Sequence, residues 1–341
     1  MQQLQSNIHH NCLISDARYG RNDTLCVYLL KMREFFRWEQ GLDFEDPIDS
    51  ETLGEWVQAR EALWDRMENE KFRPVCTDDC HPPMEAQAIS AELEPRGLLY
   101  GAGLGRQGQP HFFLAELEDH YQDHGLHYYI TGRELERGLT VLPAMLQENR
   151  VYIRRGALKQ MLFERLDEWR FNGSRPDQPM GRLVAAIGQR DTHALLEAMA
   201  EREAHLLMWH EQGEARINRQ QPGWPERISA CMGQPLERWL RALKDLLADL
   251  EQYWPQALDM GDDYAIHAWF ANFKGVRLAL AGELKQAYEQ WLEDGDLAGL
   301  RKRLEQHRHH WHALAEEVLG LPDDTAMERI RQACRDGRSA G

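Results

Sequence analysis

Apolar residues recur at every third or fourth position over most of the chain, and the elements this spacing predicts are helices. Thr24 to Gly41, TLCVYLLKMREFFRWEQG, has Asn22, Asp23 or Thr24 as a cap and Gly41 as a stop. Apolar side chains fill almost every position from Leu25 to Leu30, so this helix is expected to be central and covered on all sides at its start. The residues before it read as an N-terminal arm. Asp49 to Glu70 predicts a second helix, capped by Ser50, with Leu53, Trp56, Val57, Leu63, Trp64 and Met67 at helical spacing. Pro83 opens a short helix to Leu93 that Pro95 ends.

The pattern changes once. Leu98–Tyr100, His111–Leu117 and Leu126–Thr131 are rich in aromatic and branched residues, separated by the turn-forming GAGLGRQGQP and EDHYQDHG. They predict a small antiparallel β meander near residues 97–131, with Arg150–Arg154 as a candidate fourth strand. Helical spacing then resumes in Ala157–Phe171, Met180–Ile187, Asp191–Ile217, Pro235–Tyr253, Asp263–Trp291, Asp296–Leu319 and Asp323–Cys334. The expected fold is mainly α, a multi-helix bundle-like body with an inserted β meander. RQQPGWPERI, Arg219–Ile228, is the clearest break; it suggests parts 1–218 and 219–341, or one integrated domain.

Composition narrows the classes of function. The 43% hydrophobic content and 11 Trp belong to a folded chain. Fifty-six acidic against 40 basic residues give a net charge of −16, which argues against a nucleic-acid or anionic-membrane partner. No apolar run approaches a membrane span and the N-terminus lacks an export pattern, so a cytoplasmic protein is expected. Its six cysteines are then expected to be thiols rather than a disulfide framework.

Against that background the charged residues on apolar helix faces stand out. In the predicted helix Asp191–Ile217, whose back half is EREAHLLMWHEQGEARI, the inward line reads Leu196, Ala200, Glu203, Leu207, His210, Glu214, Ile217, so three ionisable groups interrupt it. His210 and Glu214 lie one turn apart, a spacing by which two side chains can hold one metal ion. HEQGE resembles the zincin helix His-Glu-x-x-His with Glu214 in place of the second His; Glu211 would then be the general base, and Gly213 weakens the helix. In Asp296–Leu319 the apolar line Leu297, Leu300, Leu304, His307, Trp311, Leu314, Val318 is broken by His307 alone, which makes it the natural facing partner. Glu34 is a further candidate. Imidazoles and carboxylates between helices suit iron or manganese, and zinc less readily. The ferritin-like Glu-x-x-His pair is missing, however, and the plain alternative is hydrogen-bonded core histidines with Glu203 and Glu214 paired to arginine or reaching solvent.

Other motifs carry less. HRHHWH, 307–312, points its imidazoles in different directions on a helix. Cys76-Thr-Asp-Asp-Cys80-His81 has three residues between its cysteines, where zinc knuckles have two. Gly103-x-Gly105-x-x-Gly108 fits a dinucleotide fingerprint as a string, but a β run follows where a helix is needed. Arg133, Arg137, Arg150, Arg154, Arg155 and Lys159 form the one basic cluster, able to receive an acidic group or to pair internally.

ISDARYGRNDTLCVYLLKMREFFRWE, GLLYGAGLGRQGQPHFFLAEL and MWHEQGE together resemble an uncharacterised family of bacterial proteins, a domain of unknown function. The resemblance covers most of the chain, implies a bacterial cytoplasmic protein and brings no activity with it. The expected function is a metal-binding helical protein, an iron- or manganese-dependent oxidoreductase, with His210, Glu214, Glu203 and His307 as ligands and Glu211 and Glu34 as catalytic candidates. The alternative is a non-enzymatic interaction or assembly protein with a protein partner.

Overall fold

A computed structural model describes residues 2–339, and among these the chain is mainly α with some β. It forms two compact units: residues 1–164 with 190–200, and residues 165–189 with 201–341. The first contains α1 (Gln2–Tyr19), α2 (Leu25–Gln40), α3 (Ser50–Met67), the hairpin β1 (Val75–Cys76) and β2 (Cys80–His81), and α4 (Ala86–Leu93). Then come β3 (Leu98–Leu104), β4 (Pro110–Asp123), β5 (Leu126–Arg137), β6 (Ala144–Gln147) and β7 (Arg150–Arg154). Helices α5 (Arg155–Phe171) and α7 (Thr192–Gln220) are divided between the units. The 219–228 segment lies inside the second unit rather than at its edge.

The N-terminal residues are not an arm. Helix α1 is buried along most of its length and serves two cores at once. Leu4, Ile8 and Cys12 pack with Ile89, Tyr100 and Phe112, while Leu13 and Ala17 pack with Met32, Phe35 and Trp64. Its buried polar residues read as solvent-facing in sequence, but each has a backbone partner. Asn11 donates to the Arg73 carbonyl at 2.9 Å and accepts from the Arg73 N–H at 2.7 Å; Asp16 accepts from the Leu139 N–H at 2.9 Å. The central role expected of α2 falls to α1. Only Tyr28 and the second half of α2 are buried, leaving Leu25, Val27, Leu29 and Leu30 exposed at 70%, 42%, 48% and 51%.

The β region is larger than a meander. Strands β3, β4 and β5 are antiparallel as expected, but β7 pairs in parallel with β5, and β6 joins its outer edge to give the order β3-β4-β5-β7-β6. GAGL, residues 101–104, is strand rather than loop. A Cβ on Gly101 would lie 1.9 Å from the Phe113 ring, so the glycine makes room for a cross-strand aromatic. The basic cluster is spent within the unit: Arg154 and Arg137 reach the buried Glu134, Arg133 pairs with Glu116, and Lys159 pairs with Glu197. Hairpin register sets Cys76 opposite Cys80, and a disulfide joins them, which corrects the expectation of thiols at this pair. His81 turns instead to Glu92, at 2.7 Å.

The second unit is helical. It continues from α5 through α6 (Pro179–Ile187) and the greater part of α7 to α8 (Trp224–Ala230) and α9 (Pro235–Ala248). A π-helical turn at Asp249–Tyr253 leads into α10 (Trp254–Met260). The stretch expected as one helix from Asp263 is three: α11 (Asp263–Ala271), α12 (Gly275–Ala281) and α13 (Leu284–Asp294). The first break falls at Gly275, whose φ of 62° is left-handed. Asp296 caps α14 (Leu297–Leu319) by accepting from the Ala298 and Gly299 N–H groups, and α15 (Asp323–Ser339) closes the unit. Among the described residues no helix is long and apolar enough to cross a membrane.

Candidate metal centre

Helices α7 and α9 meet at Gly213. A Cβ there would lie 2.1 Å from the Ala248 carbonyl oxygen, so the glycine permits a backbone approach that any side chain would prevent. The helix is unbroken through this point; Gly213 is a contact rather than a weakness. Around it stand His210, Glu211 and Glu214 from α7, with Lys244 and Asp245 from α9 and Asp249 from the first position of the π turn.

The π turn has a local cause. Pro255 has no N–H to return to the Glu251 carbonyl one turn earlier, and that carbonyl accepts instead from Arg216 at 2.9 Å. The Trp254 N–H reaches back five residues to the Asp249 carbonyl. The widened turn carries Asp249 at its start and Glu251 within it. Glu251 binds Arg308 at 2.5 Å and His312 at 2.9 Å; burial works against its charge, yet these partners hold it at about 2.

The Asp249 carboxylate is fully engaged. Its Oδ1 lies 2.6 Å from His210 Nδ1, and its Oδ2 accepts from Trp269 Nε1 at 2.8 Å, with Arg277 at 3.5 Å. These contacts orient the His210 ring so that Nε2 faces Glu214 Oε1 at 3.8 Å. Lys244 donates to the other Glu214 oxygen at 2.7 Å, and Arg277 pairs with Asp245 at 3.0 Å. His210, Glu214 and Asp245 each offer one ligand atom, all lying within 4.8 Å of one another. Two donors sharing one ion stand at most about 4.2 Å apart, because each bond is roughly 2.1 Å. A bound ion would therefore draw this set inward.

Burial and mutual charge leave these groups far from their ordinary protonation. Burial opposes the His210 cation, but the Asp249 carboxylate overcomes it and pushes the imidazole up to about 10. Burial and the Glu214 charge raise Glu211 to about 8, making it a buried acid rather than a ready base. Asp245 is lowered in spite of its burial, by Arg277 and His210. Four carboxyl groups thus share a pocket with an imidazolium, an ammonium and a guanidinium.

The structure distributes the sequence-derived site residues differently from their expected grouping. His210 and Glu214 come together, with Glu211 beside them. Glu203 is buried next to Arg165 at 3.5 Å, and burial raises its carboxyl. His307 does not join His210 in the ligand set: it lies 3.7 Å from Glu283 and stacks on Trp311, and burial lowers its imidazole to about 4. Glu34 belongs to the first unit, held by Arg33 at 2.7 Å and Arg37 at 3.2 Å. The facing partners are Asp245 and Asp249. The sequence carries a signal for them, since they stand one turn apart on the leucine-rich helix KDLLADL, the same spacing as His210 and Glu214.

The arrangement is that of a mainly helical unit holding a histidine–carboxylate cluster. Residues 3–154 match the N-terminal domain, and residues 159–337 the C-terminal domain, of a family of unknown function, DUF6866. The chain belongs to that family. No curated protein matches it, and neither does any solved structure.

Proposed function

We propose that the second unit binds one divalent transition-metal ion through His210 Nε2, Glu214 and Asp245. The observation that carries this reading is the Asp249–His210 pair. A carboxylate on one ring nitrogen, with the other nitrogen facing Glu214 and a further carboxylate, Asp245, in the same cluster, is the outer-shell pattern of metal-bound histidine. One nitrogen and two oxygen donors suit iron or manganese, and redox chemistry at such an ion would make the protein an oxidoreductase. Asp249 then positions His210, and Glu211 is the neighbouring acid. Lys244 and Arg277 already balance two of the carboxylates, so binding must loosen the Lys244–Glu214 pair.

Metal analysis of the full chain, purified without a histidine tag and reconstituted with Fe(II) or Mn(II), tests the reading. About one ion per chain is expected, falling to a small fraction in H210A and D245A. Stoichiometric binding unaltered by both substitutions, or none in the parent protein, overturns it.

A second reading, a non-enzymatic protein that binds a protein partner, is favoured by the exposed Leu25, Val27, Leu29 and Leu30 on α2. Under it, L29E with L30E abolishes capture of a partner from the native host while metal content stays negligible.

A further inference from the structure

A cleft of about 750 Å³ opens in the second unit between the end of α5, the segment leading into α6, and helices α11 and α13. That volume falls within the range of sites for small organic molecules. Its apolar wall is built from Phe270 and Tyr288, stacked at 4.1 Å between ring centroids, with Phe273 and Met180 beside them. All four side chains are largely buried, so the wall is fixed rather than adaptable. The Tyr288 hydroxyl is held by His267 Nδ1 at 2.9 Å.

The polar lining carries five cations and four carboxylates, and most of the cations already have an ion-pair partner. Arg165 lies 3.5 Å from Glu203, Arg175 2.7 Å from Asp177, Lys274 3.3 Å from Glu168 and Lys285 3.8 Å from Glu289. Arg182 differs. Among the described residues it forms no ion pair; its Nε makes one long bond, 3.3 Å, to the Asp177 backbone carbonyl, and its terminal nitrogens have no protein hydrogen bond. It is half-buried on α6, close enough for its charge to act on His267, Tyr288 and, behind Arg175, Asp177. A guanidinium with its fork unused beside a stacked aromatic wall is a receptor for a planar or bidentate anion.

The number of charges selects among anions. One guanidinium without an ion pair accommodates one negative charge. A second would face Glu168, Asp177, Glu289 and the rim residue Glu293 with no counter-charge left. We propose that this cleft binds a monoanionic organic acid, its carboxylate on Arg182 and its flat apolar body against Phe270, Tyr288 and Phe273. The cleft shares no lining residue with the proposed metal centre, although Trp269, which donates to Asp249, stacks on Phe273 at 4.6 Å.

Calorimetric titration of the full chain with 2-naphthoate, 2-naphthalenemethanol and 2-naphthyl phosphate tests this. Saturable one-to-one binding of 2-naphthoate is expected, weakened about ten- to hundred-fold in R182M, the usual effect of losing a charge-assisted pair. The neutral alcohol should bind weakly and equally to both proteins, and the phosphate no more tightly than the carboxylate. A271W, which fills the cleft from α11, should abolish binding and decides the matter if R182M does not fold. Absence of 2-naphthoate binding, binding that survives A271W, or tighter binding of the phosphate overturns the proposal.

Discussion

The α-carbon of Gly213 faces the carbonyl oxygen of Ala248 so closely that an added methyl group would lie 2.1 Å from it. The two helices that supply the proposed metal centre are therefore in backbone contact at its middle. Replacing Gly213 with alanine should raise intrinsic helix propensity by about 1 kcal/mol. The steric cost of forcing the helices apart, about 1–3 kcal/mol or more, opposes that gain. G213A is expected to be the less stable protein in urea denaturation and to lose metal binding. A midpoint equal to the parent's would show that the crossing is looser than described.

The 2.6 Å contact between His210 and Asp249 gives a second expectation. D249N keeps the shape of the side chain but removes the charge that orients the ring, and metal affinity should fall about 10- to 100-fold. Because His210 carries a proton up to about pH 10, an ion must displace it. Apparent affinity of the parent protein should then climb about tenfold per pH unit between pH 6 and 8, as read by competition with a metal indicator. A flat profile would remove His210 from the ligand set.

Asp16 in α1 makes the first unit sensitive to pH for a different reason. Burial raises its carboxyl from 3.8 to about 7, against the opposing pull of the Leu139 N–H. The folded state therefore holds a proton that the unfolded chain has already lost. Stability falls as pH rises from about 4 to about 7, and this contribution is on the order of a few kcal/mol at most. D16N does not titrate. Plotting denaturation midpoints against pH, the difference between D16N and the parent should grow in favour of D16N over that interval; parallel curves would count against a titrating Asp16.

Thiol chemistry offers a simple check on the first unit. The unfolded, unreduced chain should titrate four thiols, Cys12, Cys26, Cys231 and Cys334, because Cys76 and Cys80 are joined. In the native protein the exposed Cys26 should react first, while Cys12 and Cys231 are shielded by burial. Six reactive thiols on unfolding would mean that the hairpin is reduced.

How much of this was legible in the chain depended on whether local pattern and tertiary context agreed. The caps at Asp191 and Asp296, the Gly41 stop and the three antiparallel strands obey local rules and could be read directly. Helix α1 could not. Asn7, Asn11, Ser15 and Asp16 look solvent-facing until their partners on distant backbone are known. The reverse error occurs at Leu25–Leu30, where an apolar run implies burial that the fold does not provide. At the candidate centre, helical spacing was enough to pair His210 with Glu214. Which helix faces them was not readable, because His307 and Asp245 each interrupt an apolar seam and sequence cannot rank one seam's proximity over another.

The Asp249–Tyr253 turn uses one more residue per turn than the helix on either side. Its effect is local. Removing a single residue there, such as Gln252, would restore regular winding and leave the helices before and after it nearly in phase, because five residues at the wider pitch turn about as far as four at the regular one. Asp249 and Trp269 would stay close to their present positions, and the residues inside the turn, Glu251 among them, would take the change. In this protein the extra residue sets where Glu251 meets Arg308 and His312, and not how the two helices are phased.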